Sequence, residues 1–233
     1  MHLAETDENG FSILAAALDA ETVSSLKTEL SKLQPLDSVR PKNESVYGVR
    51  NLLNLSPAVR EFAGSENVRR IAESFLGEKA RVVRAIFFDK TAAANWKVPW
   101  HQDLTIAVRE KRETPRFTIW TRKAGVDHVQ PPIEILERML TLRFHLDDAD
   151  ESNGALKVIA KSHLSGRLSA AEIKFRRSAN ETLVCSVKKG DCLIMRPLIL
   201  HSSSAGSSPR NRRVVHLEFS AEELPNGLTW YGS

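Results

Sequence analysis

The chain is predicted to be mainly β, a double-stranded β-helix (jelly roll) with N-terminal helices packed on it. Three observations carry this expectation. The hydrophobic period changes near residue 80, from three- and four-residue spacing to short runs of β-formers. Those runs are separated by Gly, Pro, Asn and Asp turns, with no long helix between them, as in all-β barrels and jelly rolls. His101-Gln102-Asp103 then sets an imidazole and a carboxylate two residues apart, so that on an extended strand both share one face.

The elements follow in order. Leu14, Ala15, Leu18, Val23, Leu26, Leu30 and Leu33 recur at helical intervals, so the first eighty residues read as helical. Ser56-Pro57 before Val59, Phe62, Ala63 and Gly64 is a capped helix with proline in its first turn and a glycine stop. Ser65 opens another, with Val68, Ile71 and Phe75 on one face and Gly77 at its end. From residue 80, strands are expected over 80–88, 117–120, 139–146, 155–159, 183–187, 192–195 and 214–219. Asp148 to Gly154 reads as a hairpin-like connection, Asn153-Gly154 supplying positive backbone angles. The 233 residues are expected to form a single domain, or a domain with a helical extension, with a helical region over 1–79 packing on a β core over 80–220.

Hydrophobic content of 42% and charged content of 27% describe a globular chain. The net charge of +4 is modest, and the basic residues form only short clusters (Arg176-Arg177, Lys188-Lys189, Arg210 to Arg213). Nucleic acid is therefore not an expected partner, whereas a small molecule, anionic or neutral, is. The polar, acidic N-terminus has no signal-like apolar region, and no apolar run is long enough to span a membrane. A cytoplasmic location is expected. Cys185 and Cys192, flanking the turn Lys188-Lys189-Gly190, are read as free thiols.

His101, Asp103 and the distant His201 make two histidines and one carboxylate, a set that leaves opposite positions of a metal open, as in non-haem Fe(II) oxygenases. His-x-Asp alone is a weak signal, because short motifs of this kind arise by chance. Its surroundings add specificity. The runs Phe87-Phe88-Asp89-Lys90, Asn95 to Asp103, His145-Leu146-Asp147-Asp148, Asn153-Gly154-Ala155-Leu156 and Gly190-Asp191 to His201 resemble, in order and spacing, bacterial members of the phytanoyl-CoA dioxygenase family. Gly48-Val49-Arg50-Asn51 extends the likeness towards the N-terminus.

The resemblance implies a cupin-like oxygenase dependent on Fe(II) and 2-oxoglutarate, consuming O2, releasing succinate and hydroxylating an unidentified small organic substrate. It puts the metal ligands on His101, Asp103 and His201, the 2-oxoglutarate arginine on Arg212, eleven positions after His201, and a co-substrate hydroxyl on Ser203. Arg213 and Arg210 are rivals for the arginine. Strand alternation separates the adjacent pair, since Arg212 shares its face with Val214, His216 and Glu218, and Arg213 with Val215, Leu217 and Phe219. The family's Pro-Gly-Ser-His turn is replaced here by Ala160-Lys161-Ser162-His163, near the barrel mouth. Asp103 keeps the carboxylate that halogenating relatives lose, which favours oxygen insertion.

Candidate substrate residues are Trp96, Trp100, His128, Gln130 and Arg143. Against these stand ordinary roles, core packing for the tryptophans, Trp120 included, and solvation for His128 and Gln130 before Pro131-Pro132. Arg143 and His145 share a parity with Thr141, consistent with a wet cavity or a solvated outer face. Lys90 and Asn95 belong to the resemblance without an assigned role. Two other classes fit parts of the pattern, a cupin-like metal protein that does not use 2-oxoglutarate and a non-catalytic binding module on the same fold.

Overall fold

The computed structural model describes residues 2–33, 39–42, 45–208 and 210–232. Three antiparallel sheets are built from its strands. The largest has seven, in the order Phe11–Leu14, Cys192–Met195, Met139–His145, Arg212–Ser220, Arg81–Lys90, Ser45–Val49, Val39–Lys42. A four-stranded sheet runs Leu183–Val184, Leu156–Ile159, Leu200–Ser203, Val98–His101. A small sheet of Ile106–Val108, Val126–Gln130 and Thr118–Lys123 flanks them. The two larger sheets face each other: Leu156 and Val158 of one pack with Leu193 and Met195 of the other. This is the jelly roll expected, as facing open sheets and not a closed barrel.

Alternation explains where the core sits. On Arg212–Ser220 the residues Val215, Leu217 and Phe219 point outward, joined by Leu140, Leu142 and Phe144 of the neighbouring strand. Against them lie Leu26 and Leu30 of helix Ala20–Ser31, Val59 of Pro57–Ala63 and Val68 of Glu66–Leu76. These helices begin where their sequences dictate. Ser56 Oγ accepts from Val59 N at 3.2 Å before Pro57, and Gly64 and Gly77 end the two helices. The opposite faces of the same two strands carry Arg212, His216 and Glu218, and Thr141, Arg143 and His145, all buried.

Three details depart from expectation. The N-terminal region is not helical throughout: Phe11–Leu14 pairs with Cys192–Met195, and Val39–Lys42 and Ser45–Val49 extend the opposite edge. A four-residue apolar strand takes its identity from a partner about 180 positions away, so local spacing cannot distinguish it from a helical turn. The β region also holds a helix, Ala170–Ala179, opened by a reciprocal capping box between Ser169 and Glu172. At Asp148 to Gly154 only Gly154 takes a positive φ (77°). Asn153 instead closes a capping box with Asp150 on a single 3-10 turn. Cys185 and Cys192 are buried free thiols.

Candidate active site

A cavity of about 420 Å³ opens between the two larger sheets. His101, at the end of Val98–His101, lies directly opposite His201 of Leu200–Ser203 in the strand pairing. Their ring centroids are 4.2 Å apart. Asp103 follows just past the strand, its N–H donating to Pro197 O at 3.0 Å. Among the described residues these three form the one cluster of metal-ligating type, with ligand atoms all within 4.8 Å of one another. Asp103 lies 3.7 Å from His101 Nε2 through one oxygen and 3.8 Å from His201 Nε2 through the other.

Both rings are oriented from behind. His101 Nδ1 is 2.9 Å from Pro99 O and His201 Nδ1 2.8 Å from Ile199 O. A protonated Nδ1 donating to a carbonyl leaves Nε2 as a lone pair aimed at the cluster, the tautomer a metal requires. Burial holds His201 well below the usual imidazole range, which keeps that lone pair free. Burial alone would raise Asp103, but His201 and His101 outweigh it and hold the carboxyl low. Between His101 and Asp103, Gln102 braces the segment: its amide nitrogen donates to Leu198 O and Gly166 O, and its oxygen accepts from Leu168 N.

The two adjacent arginines are sorted by the pleat. Arg213 lies outside, bidentate to Asp147 at 2.7 and 2.9 Å, with Lys27 on the same carboxylate at 2.7 Å. Arg212 lines the cavity, 3% exposed, and its Nε and Nη1 have no hydrogen-bond partner among the described residues. Burial, with nearby Arg143, lowers this guanidinium to about 9. A buried cation short of partners is a site for an anion. Ser203 lines the same cavity, its hydroxyl donating to Gly154 O at 2.8 Å. Arg210 bonds instead to Asp150 and Ser152.

The remaining candidates divide. Trp96 and Arg143 line the cavity. Trp100 does not; one residue before His101 it faces away, against Ile159, Leu168 and Leu200. His128 and Gln130 lie on the small sheet and are outside the cavity lining too, although His128 is buried with Nε2 unpartnered. Sequence reasoning did not single out Arg50, Phe88 or a buried chain across the cavity floor. In that chain Arg143 Nη1 donates to His216 Nδ1 at 2.8 Å, His216 Nε2 donates to Glu218 at 3.2 Å, and Arg84 reaches the same Glu218 oxygen at 3.0 Å. The signal available was parity: His216 and Glu218 share Arg212's face.

The family described as phytanoyl-CoA dioxygenase matches residues 6–214. The chain belongs to the phytanoyl-CoA dioxygenase family. It is accordingly an Fe(II)- and 2-oxoglutarate-dependent dioxygenase, its substrate unidentified. No protein of curated function matches the chain in sequence. Solved structures share its fold. AviO1 from Streptomyces viridochromogenes Tue57 is 19% identical with a TM-score of 0.70, covering 97% of this chain and 94% of its own. EctD from S. alaskensis, solved with 2-oxoglutarate and 5-hydroxyectoine, is 16% identical with a TM-score of 0.73, over 94% and 74%. The epimerase SnoN, in complex with Fe3+, alpha ketoglutarate and nogalamycin RO, is 16% identical with a TM-score of 0.67, over 97% and 90%. No helix among the described residues is long and apolar enough to cross a membrane.

Proposed function

We propose that this dioxygenase is a cytoplasmic hydroxylase of a small organic molecule, with no nucleic-acid partner. Its metal ligands are His101, Asp103 and His201, and its 2-oxoglutarate anchor is Arg212. One observation carries the assignment: a cluster of two imidazole Nε2 atoms and a carboxylate shares a cavity with a buried guanidinium that lacks partners. The donor set suits a non-haem Fe(II) with open positions. Arg212 suits the far carboxylate of a chelating dicarboxylate, because a forked guanidinium pairs with it through two bonds. Arg213 is already neutralised by Asp147, which favours Arg212. The same orphaned guanidinium weighs against a metal protein that makes no use of 2-oxoglutarate.

Bound Fe(II) and 2-oxoglutarate supply the oxidising chemistry, in which O2 is consumed and 2-oxoglutarate is decarboxylated to succinate. The protein contributes position. Pro99 O and Ile199 O fix the imidazole tautomers, and Gln102 holds the His-x-Asp segment between Leu198 and Gly166. Trp96, Phe88, Ile86 and Leu104 give the cavity apolar walls that exclude water and hold the substrate's carbon skeleton. Arg143, oriented by His216, supplies a polar contact on the floor.

Anaerobic addition of Fe(II) and 2-oxoglutarate tests the assignment. The expected outcome is a weak visible charge-transfer band, absent in His101→Ala. Bound iron without a band would overturn the 2-oxoglutarate assignment.

A further inference from the structure

Lys90 ends the strand Arg81–Lys90 and pairs in register with Arg212. It is 1% exposed, yet has no acidic partner among the described residues. Its Nζ donates to Ser203 Oγ at 3.0 Å and to Ser204 O at 2.7 Å, and stands 5.4 Å from the centre of the Trp96 ring. Gly154 closes over it: a Cβ there would come within 2.7 Å of Nζ. A lysine in the middle of this β protein, beside a second buried cation, is expensive unless an anion completes the site.

The hydrogen-bond directions say how it would act. An ammonium only donates, so Ser203 Oγ accepts from Lys90 and its own proton must point elsewhere. That proton now lies on Gly154 O, and Ser203 lines the cavity with Arg212 while Lys90 stays behind it. We propose that Lys90 is a positioning residue for the co-substrate: it makes the Ser203 hydroxyl an obligate donor to the carboxylate that Arg212 holds, and adds a second positive charge behind it. This rests on the assignment of Arg212 above.

Burial, then Arg212, lowers Lys90 to about 7. Arg212 faces it from the neighbouring strand, Ser203 and Ser204 from the segment after His201, and at the 150–154 turn Asp150 is taken by Arg210. An arriving carboxylate favours the charged amine, so co-substrate binding takes up a proton near neutral pH.

The test is calorimetry of 2-oxoglutarate binding to Mn(II)-loaded protein, for wild type, Lys90→Met, Ser203→Ala and the double variant. Lys90→Met is expected to raise the Kd about 10-fold, because it removes the charge behind the carboxylate and the charge-assisted bond that orients Ser203, with Mn(II) affinity unchanged. The double variant should be weakened by less than the product of the single effects, because one residue works through the other. Wild type titrated at about pH 7.5 in two buffers of different ionisation enthalpy should show net proton uptake. A folded Lys90→Met protein with wild-type Kd, strictly multiplicative effects, or proton uptake that persists unchanged in that variant overturns the role of Lys90. Lys90→Gln, which keeps a donor amide without the charge, is read against the same outcomes if Lys90→Met does not fold. Failure of wild type to bind 2-oxoglutarate at all would instead overturn the assignment of Arg212.

Discussion

The strand Arg212–Ser220 has two buried faces with opposite chemistry. Outward, Val215, Leu217 and Phe219 meet the helices in an apolar core. Inward, Arg212, His216 and Glu218 are as thoroughly buried, but their partners are polar groups, each other, or none. One strand thus contributes stability through one set of alternate residues and a binding site through the other. Apolar burial is favourable by itself; polar burial is retained at a cost and marks where a ligand is expected. Substitutions on the two faces should therefore separate stability from binding.

The largest effect belongs to the outer face. Leu217→Ala deletes a fully buried side chain and should cost about 3 kcal/mol of stability, read as a lower urea midpoint. Iron and 2-oxoglutarate affinities of the folded protein should remain those of wild type. Affinity falling in step with stability would mean that the two faces are not separable. The inner face gives the converse. Arg212→Met should raise the Kd for 2-oxoglutarate roughly 50-fold, the scale of a charged hydrogen-bonded pair. In the absence of co-substrate it should melt at or above the wild-type temperature, since a buried guanidinium short of partners is replaced by an apolar chain. A clear loss of stability would show that Arg212 is structural.

This division was partly legible in the sequence. His101, Asp103 and His201 could be singled out because ligand chemistry restricts residue types, and alternation distinguished the faces of Arg212 and Arg213. The same alternation puts Trp100 away from His101, so its candidacy as a substrate residue had a local counter-signal. The buried chain from Arg143 to Arg84 was less legible, since it depends on which strands lie beside Arg212–Ser220. That order places Phe11–Leu14 at one edge and Ser45–Val49 towards the other, a long-range outcome that spacing cannot encode. Arg50 reaches the cavity through the second of these strands.

Arg213 offers a smaller and sharper comparison, because it differs from Arg212 by one position and a change of face. Arg213→Met breaks a part-buried bidentate pair with Asp147 and should cost about 1 kcal/mol, leaving the 2-oxoglutarate Kd unchanged. A co-substrate defect matching that of Arg212→Met would reverse the assignment of the two arginines.

The smallest effect lies in how the Arg213 pair responds to acid. Burial alone would raise the Asp147 carboxyl, but hydrogen bonds from Arg213 and Lys27 outweigh it and hold it below the ordinary aspartate value. A carboxyl whose folded pKa is lowered contributes stability in full above its unfolded value, about 3.9, and loses it as pH falls through the folded value. The gap in urea midpoint between wild type and Arg213→Met should therefore stay constant above about pH 5 and narrow below about pH 4. Lys27 remains on the same carboxylate in the variant, so some acid sensitivity persists there. A gap that stayed constant down to about pH 3 would mean that Arg213 stabilises the outer face by packing its aliphatic stem, with its charge contributing nothing.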